Sequence, residues 1–236
     1  RPNTPNELMP DKSSMENVSK IFIKTLSSLH KLDYKKLGLE NFKKGNGYSS
    51  RQIFGWSKRY LQSKTNEIKE MDFIINWLSK NQKSKEKFSL IHNDYKYDNI
   101  VLNKDYSKIL GILDWEMATV GNPLFDLGTT LGYWVQRNDH PILKKISLSP
   151  TTSEGNFSRM EIVKFYEKYS QIEVKDPVYY YVFGLFKISV IVQQIYFRYK
   201  SGYSKDQRFS KLIEVVRTCS MVAYQAIKKN KIDDLF

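Results

Sequence analysis

Apolar positions along the 236-residue chain recur mostly at helical spacing. After an extended, proline-bearing lead-in over residues 1–12, Val18, Phe22, Leu26 and Leu29 share one face, with Ile21 beside it. That pattern predicts a helix from a Ser13 or Ser14 cap to about residue 32. Ile53, Trp56 and Tyr60 line a second helix over 49–63, and Met71, Ile74, Ile75 and Leu78 line a third over 66–81. Later in the chain, helices are expected over 127–135, with Trp134 near the end, and over 159–169. The second of these opens on a Ser158-x-x-Glu161 capping box and buries Ile162, Val163 and Tyr166. The run at 178–198 is the most apolar and is long enough to raise the question of a membrane span. Lys187, Gln193 and Gln194 interrupt its middle and Tyr179, Tyr180 and Tyr181 crowd its start, so a core helix is expected and no span. A last amphipathic helix is expected over 206–229. Polar stretches separate these elements: a loop over 43–47, a charged loop over 82–87, and a proline-containing excursion over 138–157, expected to be the most mobile part.

The helical period breaks between residues 88 and 114. Residues 88–91 read as a short strand. Asn99-Ile-Val-Leu-Asn103 and Ile109-Leu-Gly-Ile-Leu-Asp114 are rich in strand formers and flank a polar loop over 104–108, which signals a hairpin. Pairing symmetric about the loop puts Asn99 opposite Asp114 at the open end, where cross-strand neighbours stand roughly 5 Å apart. The two could then share one hard cation, with Asp94 in the loop that enters the hairpin.

His92-x-Asp94-x-x-x-x-Asn99 followed by Asp114 supplies the parts of a kinase catalytic loop: an Asp base, then an Asn and a second Asp for magnesium. The stretch resembles the aminoglycoside phosphotransferase and choline kinase family, small-molecule kinases with a protein-kinase-like fold. His92-Asn93-Asp94 is similar to the form in choline and ethanolamine kinases, where many relatives have Gly in the middle. Leu113-Asp114-Trp115-Glu116 with Gly121-Asn-Pro-Leu-Phe-Asp126-Leu is similar to a branch found fused to acyl-CoA dehydrogenases. Tyr48, Arg51 and Trp56 match a Gly-Tyr-x-x-Arg…Trp pattern of that branch, and Leu29-His30-x-x-Asp33 matches the end of the family's first large-lobe helix.

The resemblance covers nearly the whole chain and implies an α+β, mostly helical fold. This is the C-terminal lobe of a kinase-like protein as a single domain over 1–236, with a small hairpin carrying the catalytic residues. It implies ATP and Mg as cofactors, Asp94 as base, Asn99 and Asp114 as metal ligands, and Asp126 as the residue that steadies the loop. His92 would prop the loop from behind, and Lys96 would place a cation near the transferred phosphate. Tyr48, Arg51, Trp56, Trp115, Glu116 and Trp134 are candidates for the substrate pocket, with helix-to-hairpin packing as the other reading.

Charge sharpens the substrate class. The net charge is +13, yet in residues 91–150 acidic groups outnumber basic ones, seven to six. The acidic stretch is set in a basic body, whose surround attracts anions, and the distribution argues against a polycationic aminoglycoside. Together with the resemblance to the acyl-CoA-dehydrogenase-fused branch, this implies a small anionic metabolite bearing a hydroxyl, such as a hydroxyacyl-CoA, ahead of choline-like or sugar-like alcohols. The lysines are spread over many helices, which argues against a nucleic-acid face. Cys219 is the only cysteine, in an apolar run; a buried thiol and a reducing, cytoplasmic setting are expected. His30, His92 and His140 are scattered, so zinc is not expected. Gly45-x-Gly47 follows no strand and lacks a third glycine, so a plain turn is expected rather than a phosphate loop.

No small lobe, with its phosphate-covering loop and paired lysine, is visible before Arg1 or after Phe236. The chain therefore reads as the large lobe alone, close to inactive by itself because phosphoryl transfer depends on positioning. A non-catalytic, kinase-like nucleotide-binding module is the alternative reading.

Overall fold

The structure is a computed structural model that describes residues 10–82, 86–146 and 149–236. Helix α1 (Lys12–His30) begins at a cap two or three residues earlier than the serines suggest. Asp11 accepts the Ser14 N–H at 2.7 Å, and Ser13 is inside the helix. A carboxylate caps at least as well as a hydroxyl and adds a favourable charge at that end. Helices α2 (Tyr48–Ser63) and α3 (Lys69–Lys80) follow, close to their expected bounds. Of the charged loop expected at 82–87, residues 83–85 lie outside the described set, as do residues 1–9 of the lead-in.

Two small antiparallel sheets occupy the middle of the chain. Strand β1 (Ser89–Ile91) pairs with β4 (Thr119–Gly121), a partner that three residues of TVG do not announce. This pair clamps both ends of the excursion that holds the hairpin. Within it, β2 (Ile100–Leu102) pairs with β3 (Ile109–Ile112), Ile100 opposite Ile112 and Leu102 opposite Ile109, with a bulge between. The register expected from symmetry is therefore wrong: Asn99 stands opposite Leu113, whose N–H it accepts at 2.8 Å, and Asp114 is one residue further on. The loop closes more tightly than expected, because the Asn103 N–H already bonds Lys108 O and the Asn103 carboxamide caps Ser107 and Lys108. The bulge recovers only part of that offset.

Helix α4 (Pro123–Tyr133) starts four residues before its expected position, on an Asn122 cap with Pro123 at the first position. Asp126 consequently lies in its first turn, where the helix dipole favours a carboxylate. The segment 138–157 contains a six-residue helix, α5 (Pro141–Ile146). The rest of its described part is tied down through Ser149 to Asp98 and through Asn156 to Tyr97 and Ser19. Helix α6 (Arg159–Ser170) carries the expected capping box with both bonds made. Helix α7 (Pro177–Lys200) has the length and hydropathy of a span, but 72% of its apolar window is buried inside the protein, as a central core helix. Helix α8 (Leu212–Lys229) packs along it after a short turn at Gln207–Phe209.

Helices α4 and α7 meet backbone to backbone. A Cβ on Gly128 would strike Tyr180 O, and one on Gly184 would strike Gly128 O. This close approach sets the start of α4 and the middle of α7 against the loop that follows β1.

Candidate active site

The loop from His92 to Asn99 is hung from a buried carboxylate. Asp126, wholly inaccessible, accepts the N–H groups of His92 and Asn93 at 2.7 Å each and faces His30 Nε2 at 3.1 Å. Burial pushes the Asp126 carboxyl up. The hydrogen bond and charge of His30, then the His92 N–H, outweigh that and hold it below the usual carboxylate range. His30 is itself fixed by Tyr166 of α6, Nδ1 to hydroxyl at 2.7 Å. Three helices, α1, α4 and α6, thus converge on two backbone amides. His92 Nδ1 accepts the Asp94 N–H at 3.2 Å, so its Nε2 carries the proton and donates to Leu113 O at 2.8 Å. That ring bridges the loop to the end of the hairpin.

Asn93 takes a left-handed conformation, φ +67°, uncommon for a residue with a side chain. Every polar group it owns is engaged. Its N–H goes to Asp126, and its Nδ2 donates to Met117 O at 2.9 Å. Its Oδ1 accepts the Tyr48 hydroxyl at 3.1 Å, and its carbonyl accepts Lys187 Nζ at 2.6 Å. Tyr95 stacks on Phe22 at 4.3 Å and donates to Phe22 O, while its carbonyl accepts the Thr130 hydroxyl; these pin the far side of the turn to α1 and α4.

Asp94 follows. Its Oδ2 lies 2.7 Å from Lys96 Nζ and 3.0 Å from Asn99 Nδ2, which also donates to Asp94 O at 2.9 Å. The Lys96 ammonium sits over the Tyr133 ring at 4.7 Å. Burial, then the charge and hydrogen bond of Asp94, push the Tyr133 phenol well up. Sequence reasoning missed Tyr133, although it closes the helix that Asp126 opens.

The donor set fits a magnesium ion. The Asn99 amide nitrogen is committed to Asp94, and its Oδ1 accepts nothing from the described residues. The exposed Asp114 carboxylate likewise makes no hydrogen bond to them, and a left-handed backbone (φ +64°) turns it out of the ladder. An uncommitted amide oxygen and a carboxylate at the open end of one hairpin are hard oxygen donors of the kind magnesium takes.

Beside the loop lies a cleft of about 620 Å³. Tyr48, Arg51, Trp56 and Glu116 line it, together with Asn93 and Lys187. The other two pocket candidates stand elsewhere. Trp134 is 2% exposed, packs on Phe22 and Tyr97, and gives its indole N–H to Phe157 O. It is a core residue because α4 ends one residue before it and turns inward. Trp115 covers the His92 ring at 4.8 Å and bonds Ile112 O. Arg51 reaches back to Asn46 O, across a turn with φ +74° at Gly45 and Gly47, as the plain-turn reading expects. The α2 N-terminus behind it is filled by Glu86, which accepts the Tyr48 and Ser49 N–H groups. Lys187 is 3% exposed, and burial pulls it down to about 8, against the opposing pull of Asp126 and Asp94. In the sequence it appeared only as an interruption of an apolar run; a single lysine inside such a run was the available signal.

The chain is similar to several known proteins. A model described as a phosphotransferase enzyme family matches residues 10–148. "Acyl-CoA dehydrogenase family member 11" of Mus musculus is 32% identical over 205 residues, covering 84% of this chain and 26% of that protein. "Acyl-CoA dehydrogenase family member 10" of the same species is 28% identical over 194 residues, 80% of this chain and 18% of that protein. The chain thus spans about a quarter or less of these relatives' length. A Ralstonia eutropha protein assigned as an aminoglycoside phosphotransferase superposes with a TM-score of 0.82 at 25% identity, over 96% of this chain and 70% of its own. Plasmodium vivax ethanolamine kinase shares the fold, with a TM-score of 0.55 at 14% identity, over 89% of this chain and 61% of its own. The kinase-like, mostly helical fold and the likeness to the acyl-CoA dehydrogenase branch both stand, and with a family model matched over more than half its length the chain belongs to the phosphotransferase enzyme family.

Proposed function

We propose that this chain provides the catalytic lobe of an ATP- and Mg-dependent phosphotransferase that acts on the hydroxyl of a small, anionic metabolite. The observation that carries the reading is the state of Asp94. Its Oδ2 is fixed by Lys96 and Asn99, and the backbone that bears it is tied through His92, Asn93 and Asp126 to three helices. A carboxylate held in this way orients an acceptor hydroxyl and takes its proton as the bond to the γ-phosphorus forms. Lys96 offers a cation to the transferred phosphate. Asn99 and Asp114 would hold magnesium, which when bound neutralises charge on the phosphate oxygens.

The acceptor class follows from the cleft. Lys44, Arg51, Arg59 and Lys187 line it against Glu116 alone, and Trp56 and Tyr48 supply apolar faces. Such a wall suits an acceptor carrying phosphate or carboxylate. The relatives are named as acyl-CoA dehydrogenase family members, which makes a hydroxyacyl-CoA the first acceptor to try. The test is ADP release by the full-length gene product with Mg·ATP, offered a hydroxyacyl-CoA, a hydroxy acid, choline and a sugar. Turnover above the acceptor-free rate with an anionic alcohol, abolished in Asp94→Asn, is expected. Binding of Mg·ATP without turnover on any acceptor would replace the enzyme by a nucleotide-binding module.

A further inference from the structure

A buried ammonium stands behind the catalytic turn, and its place in the cleft wall does not account for its bond to the turn. Lys187 lies midway along α7, where the glycine contact with α4 brings that helix against the loop. Among the described residues its Nζ has one hydrogen-bond acceptor, Asn93 O at 2.6 Å, and no carboxylate within ion-pair distance. The Trp56 ring is 5.7 Å away. Taking an ammonium out of water with one neutral partner is costly, and an unbranched apolar side chain would fill the same space. What the charge yields structurally is the bond to Asn93. That peptide is the one that needs it, since Asn93 holds a left-handed conformation immediately before Asp94.

We propose that Lys187 is a positioning residue: by holding the Asn93 carbonyl it fixes the left-handed turn from which Asp94 projects. It lines the acceptor cleft as well, so an anionic acceptor and the turn share one cation. The proposal rests on the phosphotransferase reading only in taking Asp94 as the base; the hold on the turn is a separate, measurable property.

Lys187→Met in the full-length protein tests it by two readouts. Amide exchange is followed at Asn93 and Asp94, whose N–H groups are bonded to Asp126 and to His92. Exchange at these two should accelerate at least tenfold while amides of α8 keep their protection and the melting temperature holds or rises. Turnover should fall about 10- to 100-fold in kcat, with KM for Mg·ATP within threefold. Unchanged exchange at both amides overturns the proposal. So does a variant in which all amides accelerate together as the protein melts lower, since that marks a packing role.

If the methionine variant does not fold, the wild type decides. The Asn93 amide shift should titrate near pH 8, in the field of Asp94 and Lys96 of the loop, Asp126 of α4 and Arg51, Arg59 and Glu116 of the cleft. A flat shift from pH 7 to 9.5 refutes the coupling. Faster exchange in Lys187→Met beside an Asp94→Asn protein that still turns over would sink the base assignment and leave this proposal standing.

Discussion

Asp126→Asn is the most informative single change, because it alters one atom and one charge at the point where three helices meet the loop. The native carboxylate accepts two backbone N–H groups at 2.7 Å and faces His30 at 3.1 Å, with no solvent contact. Hydrogen bonds to a charged group contribute about 1.5–3 kcal/mol each, and a buried donor left without a partner costs about 1–3 kcal/mol. An asparagine keeps one oxygen, so it can serve one side of the site. On the other side its NH₂ meets an N–H. One charge-assisted bond lost and one donor orphaned give about 3–5 kcal/mol, the range for breaking a buried charged partnership. For a domain of this size that lowers Tm by roughly 6–20 °C.

Urea unfolding of both proteins, with equal m-values, measures the difference. It also carries a pH signature. The folded carboxyl lies below the ordinary aspartate value of 3.8, so the unfolded chain binds the proton more readily. The stabilisation is complete above pH 3.8 and disappears as pH falls through the folded value. The gap between wild type and Asp126→Asn should therefore narrow on acidification below pH 3.8. A difference under about 1 kcal/mol at pH 7, or a gap that stays flat in acid, refutes the account of Asp126 as the charged anchor.

Other changes separate chemistry from architecture. Asp94→Asn should lower kcat by about 10²–10⁴-fold with the melting temperature nearly unchanged; calorimetry beside the turnover assay checks both. Asp114→Asn should weaken nucleotide binding in magnesium and leave metal-free binding alone, and equal loss in EDTA would point to misfolding instead. For Lys187 the folded group, at about 8, lies below the ordinary lysine value of 10.5, so the unfolded chain holds the proton longer. Wild-type stability should thus rise relative to Lys187→Met by about 2 kcal/mol between pH 8 and 9.5. The comparison cancels the buried tyrosines, whose raised phenols act the other way only at higher pH. Gly128→Ala should cost several kcal/mol or prevent folding, since its Cβ meets the Tyr180 carbonyl and neither helix can yield.

Periodicity was enough to find the longer helices, though not the six-residue α5. Their apolar faces at 18, 22, 26 and at 53, 56, 60 are the buried faces of α1 and α2. Endpoints were less legible where two signals competed. Asp11 outranked the serines as a cap, and Asn122-Pro123 opened α4 earlier than its apolar run suggested. The hairpin register failed for a different reason. Symmetry assumes that the loop and both strands are regular, whereas the Asn103 carboxamide tightens one end and a bulge offsets the ladder. A one-residue slip of this kind is invisible to composition. At the site, the His, Asp and Asn spacing identified the loop, and the resemblance named Asp126 and His92 as its supports, but not the residues gathered around them. His30, Tyr48, Tyr133 and Lys187 come from four separate helices, and only folding brings them to one place.

Asn93 shows why such distant residues matter. A left-handed asparagine costs about 1–2 kcal/mol more than a right-handed one, whereas glycine adopts the conformation freely. With glycine the turn would be made without strain, and its backbone would keep the bonds to Asp126 and Lys187. The asparagine adds two anchors that glycine cannot: Oδ1 to Tyr48 on α2 and Nδ2 to Met117 beyond the hairpin. Both anchors belong to residues that line the cleft beside the loop. The strain at Asn93 is therefore offset by contacts that tie the wall of the cleft to the peptide preceding Asp94. Glycine would leave the wall and the base connected only through the shared backbone. In this chain the geometry of the cleft and the geometry of Asp94 are one hydrogen-bonded unit.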